Sequence, residues 1–184
     1  MPKRSQEHLD ARRAQILEGA QRCFAEHGYT GATVARLEAE IGLSRGAIFN
    51  YFESKQALFI AVSVEVNSRF QRVFAEQGLE AAVRAMAAED PTWLGVLIET
   101  QSKLRHDAEF VRRLEAAYDE MPRISTWLAE RQAAGAYRDD VSAAELAQFV
   151  GMVLNGLALR VASEEETAVE PLLRLLDDAL APRK

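Results

Sequence analysis

The residues best equipped for chemistry are concentrated between Thr33 and Lys55. Ser44, Arg45, Gly46, Asn50 and Tyr51 follow the turn Gly42-Leu43-Ser44 and fall within about two helical turns of one another. A hydroxyl at a helix start bonds a phosphate together with nearby amides, an arginine reaches a phosphate or a guanine edge, and a glycine lets the backbone come close. Asn50 and Tyr51 project further along. Thr33 and Lys55 flank the stretch and suit phosphate contacts, which set register rather than sequence choice. Ahead of them Lys3 and Arg4, with Arg12 and Arg13, make a short basic arm that suits a minor groove or a phosphate backbone. Catalytic groupings are missing from the sequence. His8, His27 and His106 are scattered, with no His-x-x-x-His pair, no glycine-rich phosphate loop and no Gly-x-Ser-x-Gly elbow. Cys23 shares an apolar stripe with Ala20 and Phe24 and reads as a buried, inert thiol, while Asp139-Asp140 and Asp177-Asp178 read as solvated surface acids.

The elements that must position these groups are helical. The chain has 184 residues, 48% of them hydrophobic and 27% charged, with only five prolines and ten glycines, so strong helix formers dominate and the expected class is all-α. One cysteine permits no intrachain disulfide and suits a reducing cytoplasm. The start Met1-Pro2-Lys3-Arg4 has no apolar stretch behind it, and the uninterrupted apolar runs fall short of a membrane span, so a cytoplasmic protein with no membrane partner is expected. The net charge of −6 is unevenly spread. Residues 1–55 carry eight Lys and Arg against seven Asp and Glu, while 56–184 carry 14 against 21.

Periodicity predicts a first helix over about 8–27, ended by Gly28, and a short helix over 34–41 capped by Thr33. Ser44 then caps a third helix from Arg45 to Phe52, which makes a helix-turn-helix. Ser54 opens a long helix from Lys55 to about Glu76, Gly78 breaks it, and a short helix covers 79–89. Asp90-Pro91 starts a helix to Leu104, 107–134 is interrupted at Pro122, Ser142 and Glu145 form a capping box for 143–162, and a last helix spans 170–180. The total is nine or ten helices and no strand.

At this level the residues resemble the DNA-binding domain of the tetracycline-repressor family. The carriers are Ile16-Leu17-Glu18-Gly19-Ala20, Phe24-Ala25-Glu26-His27-Gly28-Tyr29, Thr33-Val34, Ile41-Gly42-Leu43-Ser44 and Gly46-Ala47-Ile48-Phe49-Asn50-Tyr51-Phe52-Glu53-Ser54-Lys55. The resemblance covers about residues 12–60. It implies an all-helical homodimer that reads double-stranded operator DNA through residues 1–55 and binds a small effector in residues 56–184, and it suggests a repressor. The family often has a phosphate-binding tyrosine where this chain has Phe49, which shifts that role to Tyr51 or Ser44. Within the family, Met1 to Ala20 and Arg45 to Phe49 are similar to actinobacterial repressors of the aconitase gene, and further along the resemblance is patchy, around Leu97 to Phe110 and Tyr137 to Val141. That likeness implies citrate with magnesium as effector, held by an arginine in a middle helix and an acid in the last one. Trp127 or Ser125 falls near the arginine, with Arg123 nearby, and Asp177 falls at the acid, the one candidate metal ligand. The residues themselves require no cofactor.

The helix 143–162 is apolar on nearly every side from Phe149 to Leu159, and a helix apolar all round is buried all round. One side is expected to face the subunit's own core and the other a second copy, through Phe149, Val150, Val153, Leu154 and Leu157 with Leu173 and Leu176 of the last helix. Effector-pocket candidates are Trp93, Gln101, Tyr118, Arg123, Trp127 and Asn155. Of these, Trp93 and Trp127 read first as core, Asn155 as a residue bonded across a dimer, and Arg123 as a partner of Asp119 or Glu120. The alternatives are a helical interaction module with a vestigial DNA-binding head, or an enzyme.

Overall fold

The structure, a computed structural model, describes residues 6–119 and 124–183. Among them are nine helices and no strand: α1 (Gln6–Gly31), α2 (Val34–Ile41), α3 (Arg45–Phe49), α4 (Lys55–Ala87), α5 (Pro91–Leu104), α6 (Ala108–Asp119), α7 (Ile124–Ala133), α8 (Ala143–Ala162) and α9 (Val169–Leu180). The polar residues that punctuate the sequence set the boundaries. Thr33, Ser44, Ser54 and Asp107 each accept a hydrogen bond from the amide three residues on, and Ser142 and Glu145 form a reciprocal capping box. Two glycines interrupt the longest elements, Gly28 at φ 68° inside α1 and Gly78 at φ 86° inside α4, and only a residue without Cβ takes that region freely. The break predicted at Gly78 therefore divides α4 into two helices. The interruption expected at Pro122 lies outside the described residues.

α3 ends at Phe49, three residues before the predicted end. Phe52 is buried and Ser54 already caps α4, so the chain leaves the helix at Asn50 and Tyr51 to reverse direction. A second difference concerns α8. Taken over an 18-residue window rather than as uninterrupted runs, it has a mean hydropathy of 1.2 and is long and apolar enough to cross a membrane, with 22% of that window buried. Its charges, Glu145 and Arg160, stand in its first and last turns.

Packing divides the chain into two compact units, Met1–Asn67 with Gly95–Asp119 and Ser68–Leu94 with Glu120–Lys184. In the first, Ile16, Phe24, Leu37, Ile48 and Phe59 are fully buried, and Phe24, Tyr29 and Phe59 form an aromatic trio with edge-on contacts at 5.2 Å. α1 meets α2 with almost no space between them. A Cβ on Gly19 would stand 2.8 Å from Ile41 Cγ1 and 3.0 Å from its Cα. Polar ties frame that contact, from Gln15 Nε2 to the Ile41 carbonyl at 3.1 Å and from Arg22 to Glu40 at 2.7 Å. α6 joins the same unit through Phe110, the Arg113–Glu53 ion pair and a Gln56–Asp107 hydrogen bond.

In the second unit Phe74, Val83, Leu128, Val150, Leu157 and Leu176 build one apolar core. Arg84 bridges Glu80 and Glu170, and Arg138 is fastened by Asp140 and by the Ala179 carbonyl. Gly19→Ala is expected to lower the unfolding free energy by about 1–3 kcal/mol, the cost of forcing a methyl group into a packed interface. A urea titration measures it, and an unchanged midpoint would remove the close α1–α2 approach as a constraint.

Candidate nucleic-acid interface and effector site

The candidate DNA-reading face is defined by what anchors its back. Ile48 is fully buried, and Phe52 beyond the helix nearly so, so the opposite side of α3 faces solvent and carries Arg45 and Gly46, with Asn50 exposed just past its end. Gly42 at φ 73° makes the turn from α2, and Ser44 starts α3 with extended backbone while its Oγ accepts from the Ala47 amide at 3.3 Å. The Ser44 hydroxyl hydrogen remains available for a phosphate oxygen. Thr33 is likewise an exposed N-cap, accepting from the Arg36 amide at 3.4 Å. At Gly46 a Cβ would meet nothing within 4 Å, so the chain itself places no demand for glycine there. An external surface does, if that side meets DNA closely.

Three groups are engaged differently from the expectation. Lys55 donates from Nζ to the Tyr29 carbonyl at 2.9 Å and lies 4.7 Å from the centre of the Tyr29 ring. Desolvation lowers its pKa, so it is an internal brace between α4 and the end of α1 rather than a free phosphate contact. The hydroxyl of Tyr51 is buried without a hydrogen-bond partner among the described residues, so the phosphate role expected of it is not presented in this conformation. The amide of Arg45, expected to share a phosphate with Ser44, donates to Glu38 Oε1 at 2.6 Å. Sequence reasoning missed Glu38 because a carboxylate in mid-helix reads as solvated, and only the turn that folds α3 back reveals its reach. Lys3 and Arg4 lie outside the described residues. Cys23 is buried, with its thiol pushed up by desolvation and then by Glu40, which suits an inert core group.

The pocket candidates are divided between the two units. Trp93 is a fully buried core residue and Gln101 is half-buried in the first unit. The side chain of Tyr118 and all of Arg123 lie outside the described residues. Trp127 stands between Phe74 at 4.6 Å and Tyr137 at 5.7 Å, with the Arg131 guanidinium 4.8 Å from its ring and its indole N–H buried without a hydrogen-bond partner among the described residues. The Tyr137 hydroxyl is pushed up by burial and then by the Asp177 carboxylate, with Arg131 opposing. Trp127 and Asp177 therefore share one neighbourhood with Tyr137 and with Arg131, which the sequence reading missed. The available signal was its place four residues after Trp127, on the same helix face. A cavity of about 230 Å³ lies nearby in sequence but is lined by other residues, including Arg138, Val141, Leu146 and Phe149. Among the described residues no three His, Cys, Asp or Glu side chains gather as metal ligands.

Four of the seven side chains assigned to a dimer face belong instead to the unit's own core: Val150, Leu157, Leu173 and Leu176. Val153 and Leu154 pack half-buried against it, and Phe149 is 36% exposed. The outward apolar side chains are Met152 at 60%, Leu159 at 55% and Leu175 at 67% exposure. Of the residues expected at a dimer face, only Phe149 is exposed, and Met152, Leu159 and Leu175 are not among them. Asn155 is exposed beside Met152 and Leu159.

A helix-turn-helix head carried with a helical bundle defines a DNA-binding regulator class. Residues 16–62 match the family described as "Bacterial regulatory proteins, tetR family". The chain is 46% identical over 169 residues to the HTH-type transcriptional repressor Rv1474c of Mycobacterium tuberculosis, covering 90% of each. It is 42% identical over 182 residues to the HTH-type transcriptional repressor AcnR of Corynebacterium diphtheriae, covering 96% of this chain and 94% of that one. Salmonella enterica GusR shares the fold at a TM-score of 0.75 and 21% identity, over 97% and 99% of the two chains. The chain belongs to the tetR family of bacterial transcriptional regulators, and its likeness to the AcnR repressors runs over nearly the whole chain, where the sequence motifs place it in the head and in two patches beyond. Its relatives are named repressors, which sets aside the enzyme alternative.

Arg45→Ala is expected to relax base preference at one operator position by about 1–3 kcal/mol. Lys55→Ala is expected to act first on folding, lowering stability by about 1–3 kcal/mol through loss of a charged hydrogen bond. Binding series over operator variants, paired with thermal melts, separate the two.

Proposed function

We propose that this regulator is a homodimeric repressor that binds a pseudo-palindromic operator through its N-terminal head, residues 1–55, and releases it when a small effector occupies the remaining residues, 56–184. The observation that carries the reading is the solvent-facing set Ser44, Arg45, Gly46 and Asn50, on and at the two ends of a helix whose other side is locked into the core. A major groove admits such a helix, and two-fold-related heads place half-sites about one helical turn, roughly 34–36 Å, apart. Dimerisation is supported by the uncovered stripe of Met152, Leu159 and Leu175 with Phe149 at its edge. Gly151 and Gly156 add to this, since a Cβ on either would meet nothing within the chain. A second copy laid on the stripe accounts for small residues that the isolated chain does not need. The work is cytoplasmic, where the DNA is.

Citrate with magnesium is the effector that the likeness to aconitase-gene repressors brings forward, and the Trp127, Arg131, Tyr137 and Asp177 neighbourhood is the place for it. The donor set fits: Arg131 suits a carboxylate, and the buried indole N–H has a hydrogen to give. Asp177 is one exposed acid, and magnesium is commonly bound through one or two protein carboxylates with the bound ligand and water supplying the rest. Magnesium would there neutralise charge on the polycarboxylate. Release needs an effector that favours the state not bound to DNA, so its differential affinity for the two states sets the response.

A gel shift on the DNA upstream of the chain's own gene, with and without citrate plus magnesium, tests both levels. A specific, salt-sensitive shift abolished by the mixture establishes operator binding and effector together. A specific shift that ignores the mixture keeps the repressor and discards citrate, and no specific shift restores the interaction-module reading. Met152→Glu is expected to give monomers in sedimentation that bind the operator poorly, and an intact dimer would remove the assigned face.

A further inference from the structure

We propose that Glu38 is a specificity-determining residue, whose carboxylate at the start of the recognition helix makes the head reject DNA that offers it only phosphates. This rests on the reading of Thr33 to Asn50 as the DNA interface. Glu38 lies on α2, yet its Oε1 accepts the Arg45 amide at 2.6 Å across seven residues, and its own carbonyl accepts the Gly42 amide at 2.9 Å. Side chain and backbone thus hold both ends of the turn that leads into α3.

Two cations of α1 and α2 are committed elsewhere. Arg36 donates to the Gly31 carbonyl at 2.8 Å and Arg22 pairs with Glu40 at 2.7 Å. Glu38 makes no ion pair among the described residues and is half-buried, so its carboxylate stands at the start of α3 beside exposed Ser44 and Arg45.

Two consequences follow for a duplex arriving at this face. The Arg45 amide is already occupied, which takes one phosphate donor away from the segment. The carboxylate also repels phosphate oxygens, and sequence-independent binding depends almost wholly on phosphate attraction. A base edge that presents an amino group, such as cytosine N4 or adenine N6, offers hydrogens to the free oxygen of the same carboxylate and reverses the sign of the contact. Glu38 therefore lowers affinity for arbitrary DNA more than for the operator, which is discrimination by a repulsive element. Because the carboxylate is held at the Arg45 backbone, the segment carries an acid as well as an arginine and is not uniformly cationic.

The experiment first defines the operator by footprinting the wild-type full chain. Affinities for that duplex and for a shuffled duplex of equal length and composition are then measured for wild type, Glu38→Gln and Glu38→Asp, over about 50–200 mM salt. Glu38→Gln keeps an acceptor for the Arg45 amide and loses the charge. Its affinity for the shuffled duplex is expected to rise roughly 5- to 10-fold at the lowest salt, with a salt slope steeper by up to about one unit, while operator affinity changes less than about twofold. Glu38→Asp keeps the charge on a shorter arm that loses the amide, and is expected to stay near wild type in discrimination. Thermal melts confirm that both variants fold. An unchanged operator-to-shuffled ratio in Glu38→Gln overturns the proposal, as does an Asp variant that loses discrimination as fully as the Gln variant, because then the hydrogen bond matters and the charge does not. A wild-type chain that fails to separate the two duplexes overturns the repressor reading itself.

Discussion

Five residues make fewer than two turns of helix, and an isolated helix of that length does not persist in water, because nucleation costs more than so few hydrogen bonds return. Everything that α3 offers to DNA therefore depends on being held from behind. Ile48 and Phe52 enter the core, α2 is pressed onto α1 at Gly19, and Lys55 ties the start of α4 to Tyr29. The recognition surface is rigid because its neighbours are, and its orientation is a property of the three-helix packing rather than of α3.

That dependence explains why cations near the interface split into two kinds. Arg45 stays exposed beside Ser44, whereas Lys55 is drawn inward, with the Tyr29 carbonyl accepting its hydrogen bond and the Tyr29 ring facing its charge. Arg13 lies 5.6 Å from the Phe52 ring and Arg113 pairs with Glu53, so the segment following α3 is bordered by cations that serve the fold. A count of basic residues overstates what such a head has to spend on phosphates. The near-neutral balance of residues 1–55 is consistent with a surface that reads by placement rather than by bulk charge.

Much of the architecture was legible because it is written in local chemistry. Caps at Thr33, Ser44, Ser54, Asp107 and Ser142 and breaks at Gly28 and Gly78 act within one turn of chain, so spacing alone locates them. The exposed side of α3 followed from Ile48 and Phe52 being four apart. What stayed hidden was tertiary. Whether Tyr51 points its hydroxyl outward, whether Lys55 reaches solvent and which carboxylate meets the Arg45 amide depend on neighbours seven to 26 residues away. α8 illustrates the same limit. Apolar on most sides, it carries no sequence signal for which stripe the subunit's own core takes, and Val150 and Leu157 rather than Met152 and Leu159 went inside.

The uncovered stripe of α8 also bears on how the chain behaves when scarce. A helix with the composition of a membrane span and only 22% of its apolar window buried is a surface that a lipid, a chaperone or an unfolded neighbour can wet. If a second copy covers it, the exposure is a function of abundance, since association is second order and dissociation is not. The newly made chain is then the vulnerable one, and each further copy shelters those already present. For such a protein dilution, rather than crowding, is the condition that uncovers its most adhesive surface.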